Sequence, residues 1–373
     1  MAAHKLLLAS VLKPIDDTRM YEKFARSLAK IDNLEIYVAG QIGKAHEPNV
    51  KIHFYPVFDF GRLSLKRLFA GFEIGKILLK VKPDIFIANT HELLVVVVLY
   101  KILFGGVIIY DIQENYYKNI RYGGHFPLPF NMLIAWYVRL KERIFFPFLT
   151  QCLLAETCYI SEMPYLKPKA LTIENKFLPP VSYPAITDRK PLDKRLDIIY
   201  TGTIGKTYGI FEAIELAKEL LNAANGTFTI IGYCPDKNVL RQVKAAIEGY
   251  SNIELTGGDR LVPHPDILRK IEQSNLGIIS YQKNPALVDK IPTRMYEYLA
   301  CQLPFLLTDN PVWVSYCQRY EACIAVDYSN PDPEAILKSI NNSSFYSKKP
   351  GSEIYWYAEE EKLLKNIRAL LPS

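Results

Sequence analysis

The chain has 373 residues, 49% of them hydrophobic and 23% charged, and a net charge of +6. That is long enough for two domains with cores of their own, and the composition excludes a disordered chain. The charge suits anionic partners such as nucleotides, phospholipid headgroups or polyphosphate-linked acceptors; with no long basic run and no RNA-binding signature, nucleic acid is not expected.

In chain order, residues 5–12 predict a buried strand, 20–30 an amphipathic helix, and 34–40 and 50–56 further strands. Residues 64–81 are helical, 84–88 a strand, 91–104 a helix and 107–112 a strand. A long helix lies within 128–154, residues 158–160 are extended and 171–173 form a short strand. Residues 178–184 and 187–197 are rich in proline and charge without an apolar period, which places a linker at 181–196. Strands are then expected at 197–200, 227–231, 253–255, 276–280 and 305–307. Helices are expected at 211–222, 237–246, 264–273, 294–301, 333–341 and 353–371.

This alternation predicts an α/β chain of two Rossmann-like, doubly wound parallel-sheet domains, 1–180 and 197–345, facing a cleft. A C-terminal helix in 346–373 is expected to pack back toward the first domain. Open sheets of this kind bind ligands outside the carboxyl ends of their strands. Residues 93–110 are apolar apart from Lys101, but Gly105-Gly106 splits them into pieces too short to span a bilayer. Segments 62–82 and 130–148 mix bulky apolar with basic residues; core packing with a solvated basic face and rest on an anionic membrane surface both fit. The cysteines at 152, 158, 234, 301, 317 and 323 form no C-x-x-C pair and read as free thiols of a reducing cytoplasm. The histidines lack metal-ligand spacing, so no metal is expected. Residues 5–9 are too short for a signal-peptide core, which points to a cytoplasmic protein, peripheral on the inner face of the plasma membrane if the basic helices rest there.

The segment from Ile291 to Asp309 is the most informative. Glu297 falls early in a short apolar helix after a proline-led loop, with Asp289, Lys290, Thr293 and Arg294 close by. A carboxylate there can accept hydrogen bonds from two adjacent ribose hydroxyls, while the helix N-terminus and the cations face phosphate. Upstream, Tyr200-Thr-Gly-Thr-Ile-Gly-Lys-Thr-Tyr-Gly209 runs from a strand into a glycine-bearing loop whose N–H groups can face a diphosphate, with Gly202, Thr203, Gly205 and Lys206 as candidates. A P-loop is excluded because Tyr200 stands where its first glycine is required. Gly232 ends a strand where a nucleotide can approach closely, or simply turns the chain. Tyr281 ends another strand and is expected to point at a transferred sugar. In the first half, Asp17 and Arg19 follow the first strand; Asp17 reads both as an N-cap and as part of an anion site that Arg19 completes. Asp111 and Glu114 are candidate bases, Gln113 between them can position but not titrate, and His91 is a further candidate.

Pro292-Thr-Arg-Met-Tyr-Glu-Tyr-Leu-Ala300 with Leu303-Pro304 resembles the P-(S/T)-K-L-(F/Y)-E-Y-(M/L)-A-x-G-x-P signature of retaining glycosyltransferase family 4, with Gln302 at the glycine. Gly202-Thr-Ile204 with Gly209-Ile210 is similar to its second-lobe loop, Asp17-Thr-Arg19 to its D-x-R first loop, and Tyr110-Asp-Ile-Gln-Glu114 to Y-D-x-H-E. The resemblance implies a GT-B fold and a nucleotide-sugar co-substrate, UDP- or GDP-linked, with no other cofactor. It also implies metal-independent transfer with retention to a glycan or lipid-linked acceptor in cell-surface polysaccharide synthesis. Glu297 would hold the donor ribose and Asp289 would stand at a second acidic position. A sugar-nucleotide epimerase of the same fold and a catalytically inactive membrane-associated binding homologue are the alternatives.

Overall fold

The computed structural model describes residues 3–44, 50–61, 64–124, 126–180, 192 and 195–372. The chain divides into two compact units, Met1–Asn175 with Trp356–Ser373, and Lys176–Tyr355.

In the first unit, β1 (His4–Pro14), β2 (Leu34–Gln41), β3 (Ile52–Phe58), β4 (Ile85–Ala88), β5 (Val107–Ile112), β6 (Gln151–Leu154) and β7 (Ala170–Thr172) form one sheet. Its order is β3-β2-β1-β4-β5-β6-β7, with every neighbouring pair parallel. Leu6, Leu7, Leu8 and Ala9 of β1 are all fully buried, as a strand covered on both faces requires. The helices are α1 (Arg26–Leu28), continuing π-helical turns Thr18–Ala25, then α2 (Ala70–Val81), α3 (Leu94–Phe104), α4 (Tyr116–Tyr122), α5 (Phe130–Phe145) and α6 (Tyr159–Glu162). The connection from β1 to β2 runs one way across the sheet, and those carrying α2, α3 and α5 run the other. Right-handed crossovers therefore place α2, α3 and α5 together on one face and Thr18–Leu28 on the opposite one. The C-terminal helix Trp356–Leu370 packs with the latter group: Trp356 stacks on Phe24, centroids 5.7 Å apart, and donates its Nε1 hydrogen to Ser27 Oγ at 3.0 Å.

The second unit repeats the plan. Strands β8 (Arg195–Thr203), β9 (Asn225–Tyr233), β10 (Ile253–Gly258), β11 (Leu276–Ile279), β12 (Phe305–Thr308) and β13 (Cys323–Val326) lie in the order β10-β9-β8-β11-β12-β13, all parallel. The helices are α7 (Ile210–Ala223), α8 (Lys237–Ile247), α9 (His264–Gln273), α10 (Thr293–Ala300), α11 (Pro311–Gln318) and α12 (Pro333–Asn342). Each sheet reverses its winding once, between β1 and β4 and between β8 and β11, so each has a switch point where strand ends diverge.

Several expectations are corrected. Residues 158–160 are not extended: the Cys158 carbonyl accepts from Ser161 and Glu162 N–H, which starts the helical turn α6. The helix expected over 20–30 starts two residues early, where Asp17 caps Arg19 and Met20 N–H, and its first turns, Thr18–Ala25, are π-helical. Strands β6 and β13 and helices α4 and α11 were not anticipated; the first two are four residues long, too short for a period to register. Of the expected linker, 181–191, 193 and 194 lie outside the described residues, while Arg195 and Leu196 already belong to β8. Among the described residues, no disulfide joins any of the six cysteines. Among the described residues, no helix is long and apolar enough to cross a membrane.

Candidate functional site

In the second unit, the predicted residues gather at the carboxyl ends of β8, β9 and β11. Helix α10 begins behind Pro292, and its period buries Arg294, Met295, Tyr296, Tyr298 and Leu299, leaving Glu297 on the rim with 19% of its side chain exposed. Its Oε1 lies 2.9 Å from His264 Nε2 at the start of α9. This histidine was not singled out in the sequence; 33 residues separate it from its partner, and only the fold brings them together.

Arg294 is 4% exposed. Its guanidinium lies over the rings of Tyr200 and Tyr281, 4.6 and 5.0 Å from their centroids. Nη2 makes a long 3.4 Å contact to the Thr203 carbonyl, and Nη1 is buried without a hydrogen-bond partner. Gly202 makes room for this: a Cβ there would stand 3.0 Å from Arg294 Nη2, at a φ of +89° that side chains disfavour. Gly232 serves the neighbouring strand end, where a Cβ would lie 1.7 Å from the Gly202 carbonyl oxygen. Tyr281 does not point outward as expected. It is 9% exposed and packs edge-on against Tyr208 and Trp313, so it braces Arg294 from within the core. Thr203, Lys206 and Thr293 are exposed; Gly205, Asp289 and Lys290 are half-buried.

A pocket of about 560 Å³ opens beside this group. Ile231, Thr256 and Gly257 form its wall at the ends of β9 and β10, Arg260 and Val262 lie in the following loop, and Asp266 on α9. None of these was a sequence candidate, because a loop after a short strand carries no periodic signal. Pro263, which lines the pocket, immediately precedes the His264 that holds Glu297.

In the first unit, the candidates surround the switch point of the sheet. Asp111, fully buried at the end of β5, accepts from Arg19 Nε and Nη2 (2.7 Å at the shortest), Asn89 Nδ2 at 2.9 Å and Gln113 Nε2 at 3.0 Å. This corrects two expectations. Asp111 is a hydrogen-bond hub with no open face for an acceptor proton, and Arg19, 3% exposed and clamped over the Phe24 ring, is not free to swing to a phosphate. Asp17 is the helix cap. Three buried polar atoms here make no hydrogen bond: Arg19 Nη1, Asn89 Oδ1 and His91 Nδ1, the last 3.7 Å from Glu92 Oε2. Glu114 is half-buried and accepts from Asn119 Nδ2 at 2.8 Å.

His91 sits edge-on to Tyr116 and is 7% exposed; burial lowers its pKa to about 4, against the pull of neighbouring Glu92. The imidazole is therefore neutral near pH 7. The unfolded chain titrates near 6.5, so between these values the unfolded state holds the extra proton. The stability from a neutral His91 is complete above pH 6.5 and is lost as pH falls through about 4. The loss amounts to about 3 kcal/mol. In urea melts, His91→Gln should flatten the pH dependence of stability across this window; an unchanged slope would show that His91 is not held neutral.

No family model matches the chain, and no curated protein matches it. Solved structures do. The sucrose-phosphate synthase of Thermosynechococcus elongatus superposes with a TM-score of 0.68 at 12% identity, covering 98% of this chain and 99% of that one. Anabaena HepE in complex with UDP and glucose gives 0.63 at 12% identity, covering 98% and 100%. A glycosyltransferase from Rickettsia africae gives 0.60 at 13% identity, covering 98% and 94%. With its two parallel-sheet α/β units, the chain has the GT-B fold that these glycosyltransferases share.

Proposed function

We propose that the protein is a retaining glycosyltransferase of the family 4 type that transfers a sugar from a UDP- or GDP-sugar to a glycan or lipid-linked acceptor. The observation that carries this reading is the placement of Glu297: a carboxylate on the rim of α10, steadied by His264, beside a pocket at the ends of β9 and β10. A nucleotide laid along that edge would put its base in the pocket and its ribose diol on Glu297. Its diphosphate would lie at the Gly202–Lys206 loop, near Arg294 and Lys290. As the glycosidic bond to the diphosphate breaks, negative charge grows on the leaving phosphate, and on this reading Lys206, Lys290 and the loop N–H groups would stabilise it without a metal. Arg294 contributes from behind, through its unpaired Nη1 and the loop it supports.

On this reading the first unit offers the acceptor hydroxyl a neutral His91 and a half-buried Glu114, the latter being the remaining candidate base. A lipid-linked acceptor places the protein on the inner face of the plasma membrane, in polysaccharide synthesis. A binding homologue without transfer is the second reading, favoured by Gln113, which cannot titrate.

A thermal-shift panel of nucleotides and nucleotide-sugars tests the donor site. Saturation at 100 times Kd should stabilise the second unit by about 2.7 kcal/mol. We expect one nucleotide class to respond, and release of its diphosphate once an acceptor is supplied. No response at millimolar ligand would refute the donor site, and binding without turnover would favour the non-transferring homologue.

A further inference from the structure

The face of the first unit formed by α2, α3 and α5 is built inside out. On α5 the buried positions include Arg139 and Glu142, while Leu133, Trp136, Tyr137, Leu140 and Ile144 are each more than half exposed. The buried pair is engaged within the unit: Arg139 donates to Asn115 Oδ1 at 2.6 Å, and Glu142 Oε1 accepts from Tyr110 OH at 2.9 Å. Next to it, α3 buries Leu94, Val97 and Val98 and turns a second apolar stripe outward, Leu99, Ile102 and Leu103, with one charge in the helix, Lys101. On the far side of α3, α2 and the turn before it expose Leu65, Leu68, Phe69, Phe72 and Leu79. Three neighbouring helices thus present apolar stripes to the same side of the sheet, where a water-facing helix would carry polar residues.

We infer that this face docks on an anionic lipid bilayer. The charges choose the occupant. Lys66, Lys76, Lys80, Lys141 and Arg143 stand among the apolar side chains, while the only acids on these elements are Glu73 and the buried Glu142. Lys76 and Lys141 hold their ammonium nitrogens over the rings of Phe72 and Tyr137, 4.5 and 5.6 Å from the centroids, so positive charge sits directly on the apolar surface, with Lys76 shared by Glu73. A second copy docked by two-fold symmetry would bring two faces with the same excess of positive charge together. A bilayer with anionic headgroups takes both the apolar stripes and the cations. The contribution of α3 extends beyond the two basic helices visible in the sequence. The surface belongs to the first unit and the candidate donor site to the second, so it can be tested without the transfer reaction.

The test is co-sedimentation of the full chain with vesicles of phosphatidylcholine alone or mixed with phosphatidylglycerol. Binding is expected to the mixed vesicles and to weaken, without vanishing, at high salt. Trp136→Glu with Leu140→Glu, and separately Leu99→Glu with Leu103→Glu, should each lower partitioning by about tenfold or more. The far-UV circular dichroism and the melting transition of each variant without ligand should match those of the wild type, which shows that the variants are folded. The inference is overturned if the wild type ignores anionic vesicles or if both variants bind as well as the wild type. It is equally overturned if the wild type sediments as a dimer that these substitutions convert to monomers, which would assign the face to a second copy.

Discussion

Glu297→Ala is expected to lower kcat/KM for sugar transfer by about 10²- to 10⁴-fold, since a carboxylate gripping a ribose diol makes two charge-assisted hydrogen bonds of roughly 1.5–3 kcal/mol each. The fold should be little affected. Glu297 is partly exposed, and its contact with His264, itself 38% exposed, is worth at most about 1 kcal/mol. Glu297→Gln, which keeps one acceptor oxygen but no charge, should fall between the two. Steady-state kinetics beside thermal melts checks both halves. Near-normal turnover in the alanine variant would remove Glu297 from the donor site. Loss of turnover together with loss of the melting transition would show a structural role instead.

The second large effect concerns Asp111. Its removal leaves the Arg19 guanidinium buried without a counter-charge and takes the acceptor from Asn89 and Gln113 as well. Breaking a buried pair from one side costs about 3–5 kcal/mol, so Asp111→Ala should lower the urea midpoint of the first unit sharply. Replacing both partners with apolar residues, Arg19→Met with Asp111→Leu, should recover much of that loss, because no charge is then left stranded. Were Asp111→Ala to cost less than 1 kcal/mol, roughly the worth of an exposed ion pair, the pair would not be the buried linchpin that its geometry describes. Nucleotide response by the second unit provides a control, since its candidate residues belong to the other compact unit.

These predictions sort the sequence candidates by what each side chain was found to do. Asp17, read both as a cap and as part of an anion site, is a cap because its Oδ1 accepts two N–H groups. Asp111 was read as a candidate base in the segment that resembles Y-D-x-H-E; its pairing with Arg19, 92 residues away, was not legible there. Tyr281 was expected to point at a transferred sugar because it ends a strand, but Trp313 on α11, a helix not anticipated, packs against its ring. The signal for α11 was present in Asn310-Pro311, an N-cap followed by proline at the first helical position.

Local pattern by itself determined the alternation of strands and helices, the two parallel sheets and the early-helix position of Glu297. Each follows from apolar spacing, caps and glycines within a dozen residues, and such short-range preferences need no tertiary partner. The tertiary structure alone decided which polar groups met: His264 with Glu297, Arg294 with Tyr200 across Gly202, Arg19 with Asp111, and the polar inner side of α5 that turns its apolar side to solvent. The reason is that burying a charge is favourable only when a partner arrives, and the partner comes from a strand or helix whose distance along the chain is fixed by topology, not by local pattern.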